Sequence, residues 1–277
     1  MLPPAVNFHI LRRCNLRCRF CFATFRDVPS QLDSAGALRV VEALAEAGAE
    51  KINFAGGEPT LHPDLAVLVR HAKSLGLTTS IVTNGARLPH LLDACADALD
   101  WAGLSVDSFD EDVQKALGRG CGGHVRRSIG HAARCREAGV RVKLNSVITR
   151  LNIDDDLSPL VRAMVPDRWK VFQVLPMGGQ NDVHINDLTV SDRAFEGFVR
   201  RHRHLQAEGL DPIVETNDAM RGSYAMVDPF GRFYGNATGR HVYSRPILEV
   251  GVEAALSEVG FVAEKLVDRG GLYRWAG

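Results

Sequence analysis

The chain has 277 residues, 45% hydrophobic and 24% charged, which is enough for one large domain or a domain with an appendage. Basic and acidic side chains number 33 each, so net charge points to neither a nucleic-acid nor a membrane partner, and any electrostatic targeting must be local. No run of 18 apolar residues, signal-peptide pattern, solenoid-period repeat or low-complexity segment occurs.

The first strand is expected over 6–10, with Asn7 and His9 on one face and Phe8 and Ile10 on the other. The run Cys14-Asn15-Leu16-Arg17-Cys18-Arg19-Phe20-Cys21 follows it. Leu38, Val41, Leu44 and Ala45 then form a helical stripe closed by Gly48. A second strand over 51–54 runs into Gly56-Gly57-Glu58-Pro59. Leu65, Leu68, Val69, Ala72 and Leu75 mark the next helix, ended by Gly76. Strands follow over 78–83, 101–106, 140–148 and 169–175, with helices over 88–99, 110–117, 125–138 and 155–164. Six strands alternating with helices predict a parallel sheet of βα units, and six rather than eight predict an open, partial (β/α)6 barrel. Its site belongs at the C-terminal ends of the strands, where the cysteine run and the Gly-Gly-Glu-Pro turn both fall.

After Pro176 the character changes, and the expected division is 1–176 for the barrel and 177–277 for an α+β extension covering its open side. A charged amphipathic helix is expected over 191–208, buried through Phe195, Phe198 and Val199. Residues 213–214 and 224–227 read as strand, and Asp228-Pro229-Phe230-Gly231 as a hairpin turn.

Six cysteines in this length do not make a disulfide scaffold. Cys95, Cys121 and Cys135 are scattered and read as ordinary thiols. Cys14, Cys18 and Cys21 are a soft-ligand set. A structural zinc site needs four protein ligands, and no second CxxC pair or suitably spaced His is present. Three thiolates on one short loop suit a [4Fe–4S] cluster with one iron open, which needs a reducing compartment such as the cytoplasm. The spacing resembles the radical S-adenosylmethionine (SAM) superfamily, and the Gly56-Gly57-Glu58-Pro59 turn about forty residues later resembles that superfamily's glycine-rich motif. The resemblance implies that SAM chelates the open iron, beside Phe20, Gly56, Gly57 and Glu58. Ser105 and Arg119, at the end of strand four and in the following loop, are candidates for the SAM carboxylate. Val147 and Ile148 are candidates for packing on its adenine, or else for the core.

Four strands carry polar residues at i and i+2: Asn7/His9, Lys51/Asn53, Lys143/Asn145 and Arg168/Lys170. Period two puts each pair on one face, whereas strands covered by helices are usually apolar on both. Burying such charges unpartnered is prohibitive, so a water-filled lumen awaiting an anion is expected, or else strand ends with salt bridges to helices. Four cations suit a di- or triphosphate. Tyr224 is the candidate aromatic hydroxyl of the C-terminal part, and Asn217 offers an amide to a base edge.

The stretches Val6–Cys14, Cys18–Phe22, Glu50–Pro59, Val106–Glu111, Asn145–Ile148, Arg168–Gln173 and Ile247–Val252 together resemble the viperin family, from Val6 to Trp275. That resemblance implies a lyase converting CTP, or in prokaryotic members also UTP or GTP, to the 3′-deoxy-3′,4′-didehydro nucleotide, a chain terminator for viral polymerases. It implies triphosphate binding by Asn7, Lys51, Lys143, Asn145, Arg168 and Lys170, SAM binding by Ser105 and Arg119, a base near Asn217 and a ribose near Tyr224. An electron-donor protein such as a flavodoxin or ferredoxin is expected as partner. The vertebrate members' N-terminal amphipathic helix has no counterpart before strand one, so a soluble cytoplasmic monomer with no membrane or direct nucleic-acid contact is expected. The tail ends at Gly277 without the vertebrate extension, and Asn236-Ala237-Thr238-Gly239-Arg240 departs from the usual Asn-Cys stretch, leaving the base open. Another radical SAM enzyme acting on peptide or RNA, or a non-catalytic zinc or iron–sulfur scaffold, are the alternatives.

Overall fold

The computed structural model describes residues 2–268, 270, 273 and 275. Its first half alternates as expected: β1 (Ala5–His9), α1 (Ser34–Glu46), β2 (Lys51–Ala55), α2 (Leu65–Ser74), β3 (Thr78–Thr83), α3 (Leu88–Cys95), β4 (Trp101–Ser105), α4 (Glu111–Ala116), α5 (His124–Glu137), β5 (Arg141–Ile148), α6 (Ser158–Met164) and β6 (Arg168–Gln173). The α6 helix starts three residues later than expected, because Pro159 sits in its first turn, where a missing N–H costs nothing. The helix α8 (Asp192–His202), after the single turn α7 (Ile185–Leu188), is capped by Ser191 and tightens into a 3₁₀ segment over Arg203–Glu208.

The extension contributes strands to both edges of the sheet. β7 (Pro212–Glu215) pairs parallel with β6, and β8 (Ala225–Val227) pairs parallel with β1. The Asp228–Gly231 turn then leads into β9 (Arg232–Gly235), antiparallel to β8, and β10 (Val242–Pro246) follows it. Asp228 holds the turn: its carboxylate accepts from the Phe230 and Arg232 amides and pairs with the Arg232 guanidinium. The order β10-β9-β8-β1-β2-β3-β4-β5-β6-β7 makes one ten-stranded sheet that does not close, in which the six expected strands of the partial barrel gain a parallel strand from the extension at each edge.

Alternation divides each strand between two environments. Val6 and Phe8, Ile52 and Phe54, Ala102 and Leu104, Val142 and Leu144, and Trp169 and Val171 face the helices and are buried in the main core. The helices return Val40, Val41, Leu44, Leu65, Leu68 and Val69, each worth about 1.5–3 kcal/mol on burial. Ile148 belongs to this outer core, so it does not face the lumen with Val147. Among the described residues, no helix is long and apolar enough to cross a membrane.

Candidate active site

The concave side of the sheet encloses a cavity of about 780 Å³. Asn7, Cys14, Cys18, Phe20, Cys21, Lys51, Gly56, Gly57, Glu58, Ser105, Arg119, Lys143, Asn145, Val147, Arg168, Lys170 and Tyr224 all line it. Asn217 does not. It begins the short helix Asn217–Met220, capped by Thr216, and its backbone N–H donates to Gln173 Oε1 at 2.9 Å. Gln173 and Met220 line the wall in its place.

The three thiols sit on a loop held from two sides by glycine. Gly57 N–H donates to Leu11 O at 2.6 Å and Glu58 N–H to Arg13 O at 2.9 Å. A Cβ on Gly57 would lie 2.3 Å from Arg13 O, and one on Gly118 would lie 2.2 Å from Arg17 O. These glycines therefore admit the backbone of the cysteine loop itself, a different reason for them than approach to a ligand. Burial raises the thiol of Cys21 to about 12, and also raises Cys18 and Cys14, so thiolates here require a compensating cation.

Glu58 is buried by the same crossing. Its Oε1 accepts from Thr60 N–H, Thr60 Oγ1 and Thr83 Oγ1, and its Oε2 accepts from Asn84 N–H at 2.7 Å. Burial pushes its carboxyl up, against these hydrogen bonds. One oxygen is saturated, and the other retains accepting capacity at the cavity wall. Arg119, also buried, is neutralised by Asp107: Nε donates to Oδ2 at 2.5 Å, and the guanidinium lies 5.2 Å from the Phe20 ring centre. Asp107 Oδ1 also accepts from Val147 N–H, tying β5 to the arginine.

The opposite end of the lumen is basic. Lys51 and Arg168 begin their strands, and Lys143 pairs in register with Arg168, Asn145 with Lys170 and Asn7 with Asn53. Tyr273 and Trp101 floor this end. Lys51 lies 4.7 Å and Arg168 3.9 Å from the Tyr273 ring centre, and Lys143 lies 4.8 Å from that of Trp101. Cation–π contact offsets part of the desolvation. It does not remove it: burial and the positive charges of Arg168, Lys170 and Arg141 hold Lys51 down at about 8, although a hydrogen bond with Lys143 raises it. Burial and the neighbouring Lys51 charge push Lys143 well below the ordinary lysine range. Lys170 is different, since the fully buried Glu215 pairs with it at 2.5 Å. Tyr224 Oη accepts from Lys170 at 3.0 Å and donates to Glu215. Period two from Ile213 would have put Glu215 on a lumen face, and period two from Lys143 would have reached Arg141. No pattern in the sequence gave Tyr273 or Asp107 a role in the site.

The radical SAM superfamily model matches residues 8–164. An S-adenosylmethionine-dependent nucleotide dehydratase of Flammeovirga pacifica is 44% identical over 282 residues, covering 98% of this chain and 96% of that protein. The chain belongs to the S-adenosylmethionine-dependent nucleotide dehydratases. This dehydratase is also 38% identical to the Danio rerio S-adenosylmethionine-dependent nucleotide dehydratase RSAD2, over 99% of the chain and 79% of that protein. In solved structures its fold is shared with Streptococcus suis SuiB bound to S-adenosylmethionine (TM-score 0.65, 18% identity, 83% of this chain and 59% of that one). It is shared too with anSMEcpe bound to AdoMet and a peptide (TM-score 0.63, 15% identity, 95% and 80%). As a radical SAM nucleotide dehydratase, the enzyme uses a [4Fe–4S] cluster and SAM. The donor set fits: three free cysteines on one loop line the cavity beside a buried carboxylate and a guanidinium. Among the described residues, no three His, Cys, Asp or Glu converge to hold a single metal ion.

Proposed function

We propose that the substrate is a nucleoside triphosphate, CTP first and UTP or GTP next, and that the product is its 3′-deoxy-3′,4′-didehydro analogue. In this reading the product terminates chain synthesis by viral polymerases, and the enzyme is a cytoplasmic monomer serving antiphage defence. A flavodoxin or ferredoxin supplies its electrons. The observation that carries the substrate is the polarity of the cavity. From Lys51 to Gly56 is five residue steps, so the cationic end and the thiol end are separated by about 16 Å at about 3.3 Å per step. That length suits a molecule with phosphates at one end and its reacting carbon at the other. Depressed lysines gain most from an anion, because each phosphate oxygen restores the charged form that burial disfavours.

When bound, the cluster and SAM supply a hydrogen-abstracting 5′-deoxyadenosyl radical by one-electron reductive cleavage. Cys14, Cys18 and Cys21 would hold the cluster, and Glu58, Ser105 and Arg119, with Phe20 and Val147, would orient SAM. Lys51, Lys143 and Arg168 would clamp the triphosphate, with Asn7, Asn145 and Lys170 above them, and so fix the ribose in the cavity by positioning. The 3′-hydroxyl needs a proton to leave as water, and one further electron from the donor protein completes the C3′–C4′ alkene. Tyr224 faces the cavity with its hydroxyl bridged to Lys170 and Glu215, an arrangement that can give a proton and regain one.

The test is anaerobic reconstitution with SAM, dithionite and CTP, UTP, GTP or ATP supplied separately. Mass spectrometry should find 5′-deoxyadenosine and a nucleotide one water lighter with at least one triphosphate. 5′-Deoxyadenosine without an altered nucleotide would sink the proposed substrate and leave the radical chemistry.

A further inference from the structure

Five arginines, Arg12, Arg13, Arg17, Arg19 and Arg26, lie between residues 12 and 26 with no acidic residue among them, in a chain whose overall charge balances. Arg13, Arg17 and Arg26 are exposed, and among the described residues none of the three meets a carboxylate. The next acid, Asp27, is engaged: Gln180 and Tyr243 each donate to it at 2.8 Å, and these hydrogen bonds hold its carboxyl below the usual carboxylate range despite burial. Arg19 approaches Asp187 only at 3.8 Å. Arg12, Arg13 and Arg26 line an open depression with Thr24, Ser30 and Gln31, and Arg12 and Arg26 join it to the adjoining cavity, which Arg17 and Arg19 also line. Cys14, on the same loop, is exposed, so the thiol set reaches the surface here. On the cavity rim stands Val183, 71% exposed, the most exposed large aliphatic side chain among the described residues.

A positive field around a redox entrance, with one apolar contact at its edge, is the complement of an acidic electron carrier. We propose that Arg13, Arg17 and Arg26 form the docking surface for an acidic flavodoxin-type protein that reduces the cluster. The proposal rests on the cofactor reading above. One electron leaves the carrier's flavin hydroquinone, which becomes the semiquinone, and enters the oxidised cluster; no atom is transferred. Arg17 and Arg26 also line the cavity, but as exposed side chains that are not among the groups holding thiols, SAM or triphosphate, so the arginines act on encounter and affinity. Their side chains are outside the loop contacts that seat the thiols, which are made by backbone carbonyls.

The test compares the cluster-loaded enzyme with its Arg13→Gln/Arg17→Gln/Arg26→Gln variant. A control, Arg150→Gln/Arg193→Gln/Arg203→Gln, removes the same charge from exposed positions elsewhere. Affinity for oxidised flavodoxin is read by calorimetry at low and high salt, and 5′-deoxyadenosine formation is read with dithionite and with enzymatically reduced flavodoxin. The triple variant is expected to bind about tenfold more weakly at low salt, with a flatter salt dependence. Its flavodoxin-driven turnover should fall to match, while its dithionite-driven turnover and the control stay at wild-type levels. Unchanged flavodoxin affinity, equal loss in the control, or equal loss with both reductants would overturn the proposal. A wild-type enzyme that cleaves no SAM with dithionite would instead overturn the cofactor reading on which it rests.

Discussion

Replacing Lys51 by methionine should stabilise the substrate-free enzyme and weaken its response to nucleotide. Lys51 is 3% exposed, and its ammonium titrates near 8 instead of 10.5. At about 1.36 kcal/mol per tenfold change in proton affinity, keeping it charged at pH 7 costs the folded state about 3 kcal/mol. Methionine keeps the length of the side chain and loses the hydrogen bond from Nζ to Tyr273 Oη, worth about 1 kcal/mol. The net gain is about 2 kcal/mol, or about 4–8 °C in Tm for a chain near this size. The sign also appears in the pH profile. Below pH 8 the lysine is charged in both folded and unfolded states, and the folded state bears the full penalty. Between 8 and 10.5 the unfolded state holds more protons, so wild-type stability gains with pH from this group, and the variant lacks that rise. The assay is anaerobic thermal unfolding of the holoenzyme with and without CTP. CTP should raise the wild-type Tm, and the increment should shrink in the variant as its baseline climbs. A lower baseline, or an undiminished CTP increment, would refute the reasoning.

Triphosphate binding should take up protons near neutral pH, because an anion lifts a depressed Lys143 back toward its ordinary range. Calorimetry in buffers of different ionisation enthalpy reads this, and binding enthalpy independent of buffer would contradict it. Gly57→Ala should abolish cluster incorporation, since its Cβ would sit 2.3 Å from Arg13 O. The visible absorbance of the reconstituted protein should be lost while far-ultraviolet circular dichroism is kept, and a normally coloured variant would disprove the loop-seating argument. Asp107→Asn should cost about 3–5 kcal/mol in chemical denaturation by leaving the Arg119 guanidinium buried without its counter-charge; a loss under 1 kcal/mol would show that Arg119 finds water instead. Tyr224→Phe should leave 5′-deoxyadenosine formation intact and lower the yield of dehydrated nucleotide at least tenfold. An unchanged yield removes Tyr224 from the reaction.

Much of the site could be read from the sequence because its residues are strongly local or strongly periodic. The cysteine spacing lies within eight residues, and the Gly-Gly-Glu-Pro turn follows a strand of clear character. The pairs Asn7/His9, Lys51/Asn53, Lys143/Asn145 and Arg168/Lys170 were legible through period two, since alternation along a strand is imposed by the backbone. Other features had no such signal. Asp107 and Glu215 are single acids whose roles appear only when β4, β5, β6 and β7 bring partners from distant segments to them. Asn217 read as a loop residue beside the base, whereas it starts a one-turn helix and does not line the cavity, because a loop residue and the first residue of such a helix look alike in sequence.

The chain alone determined the βα alternation, the outer core, the thiol loop and a lumen face too polar to be packed, because each follows from local preference or from the two-residue period of a strand. Tertiary structure decided the rest. It put β7 and β8 on opposite edges of the sheet, which widened six strands to eight, and it brought Tyr273 beneath Lys51 and Arg168. It set the Gly57 and Gly118 contacts against the cysteine loop and put the cationic end of the cavity opposite the thiols. These relations join residues as many as 222 positions apart, as Lys51 and Tyr273 are. Local propensity carries no information over such separations. They exist only once the sheet has curled and its desolvated charges must find partners.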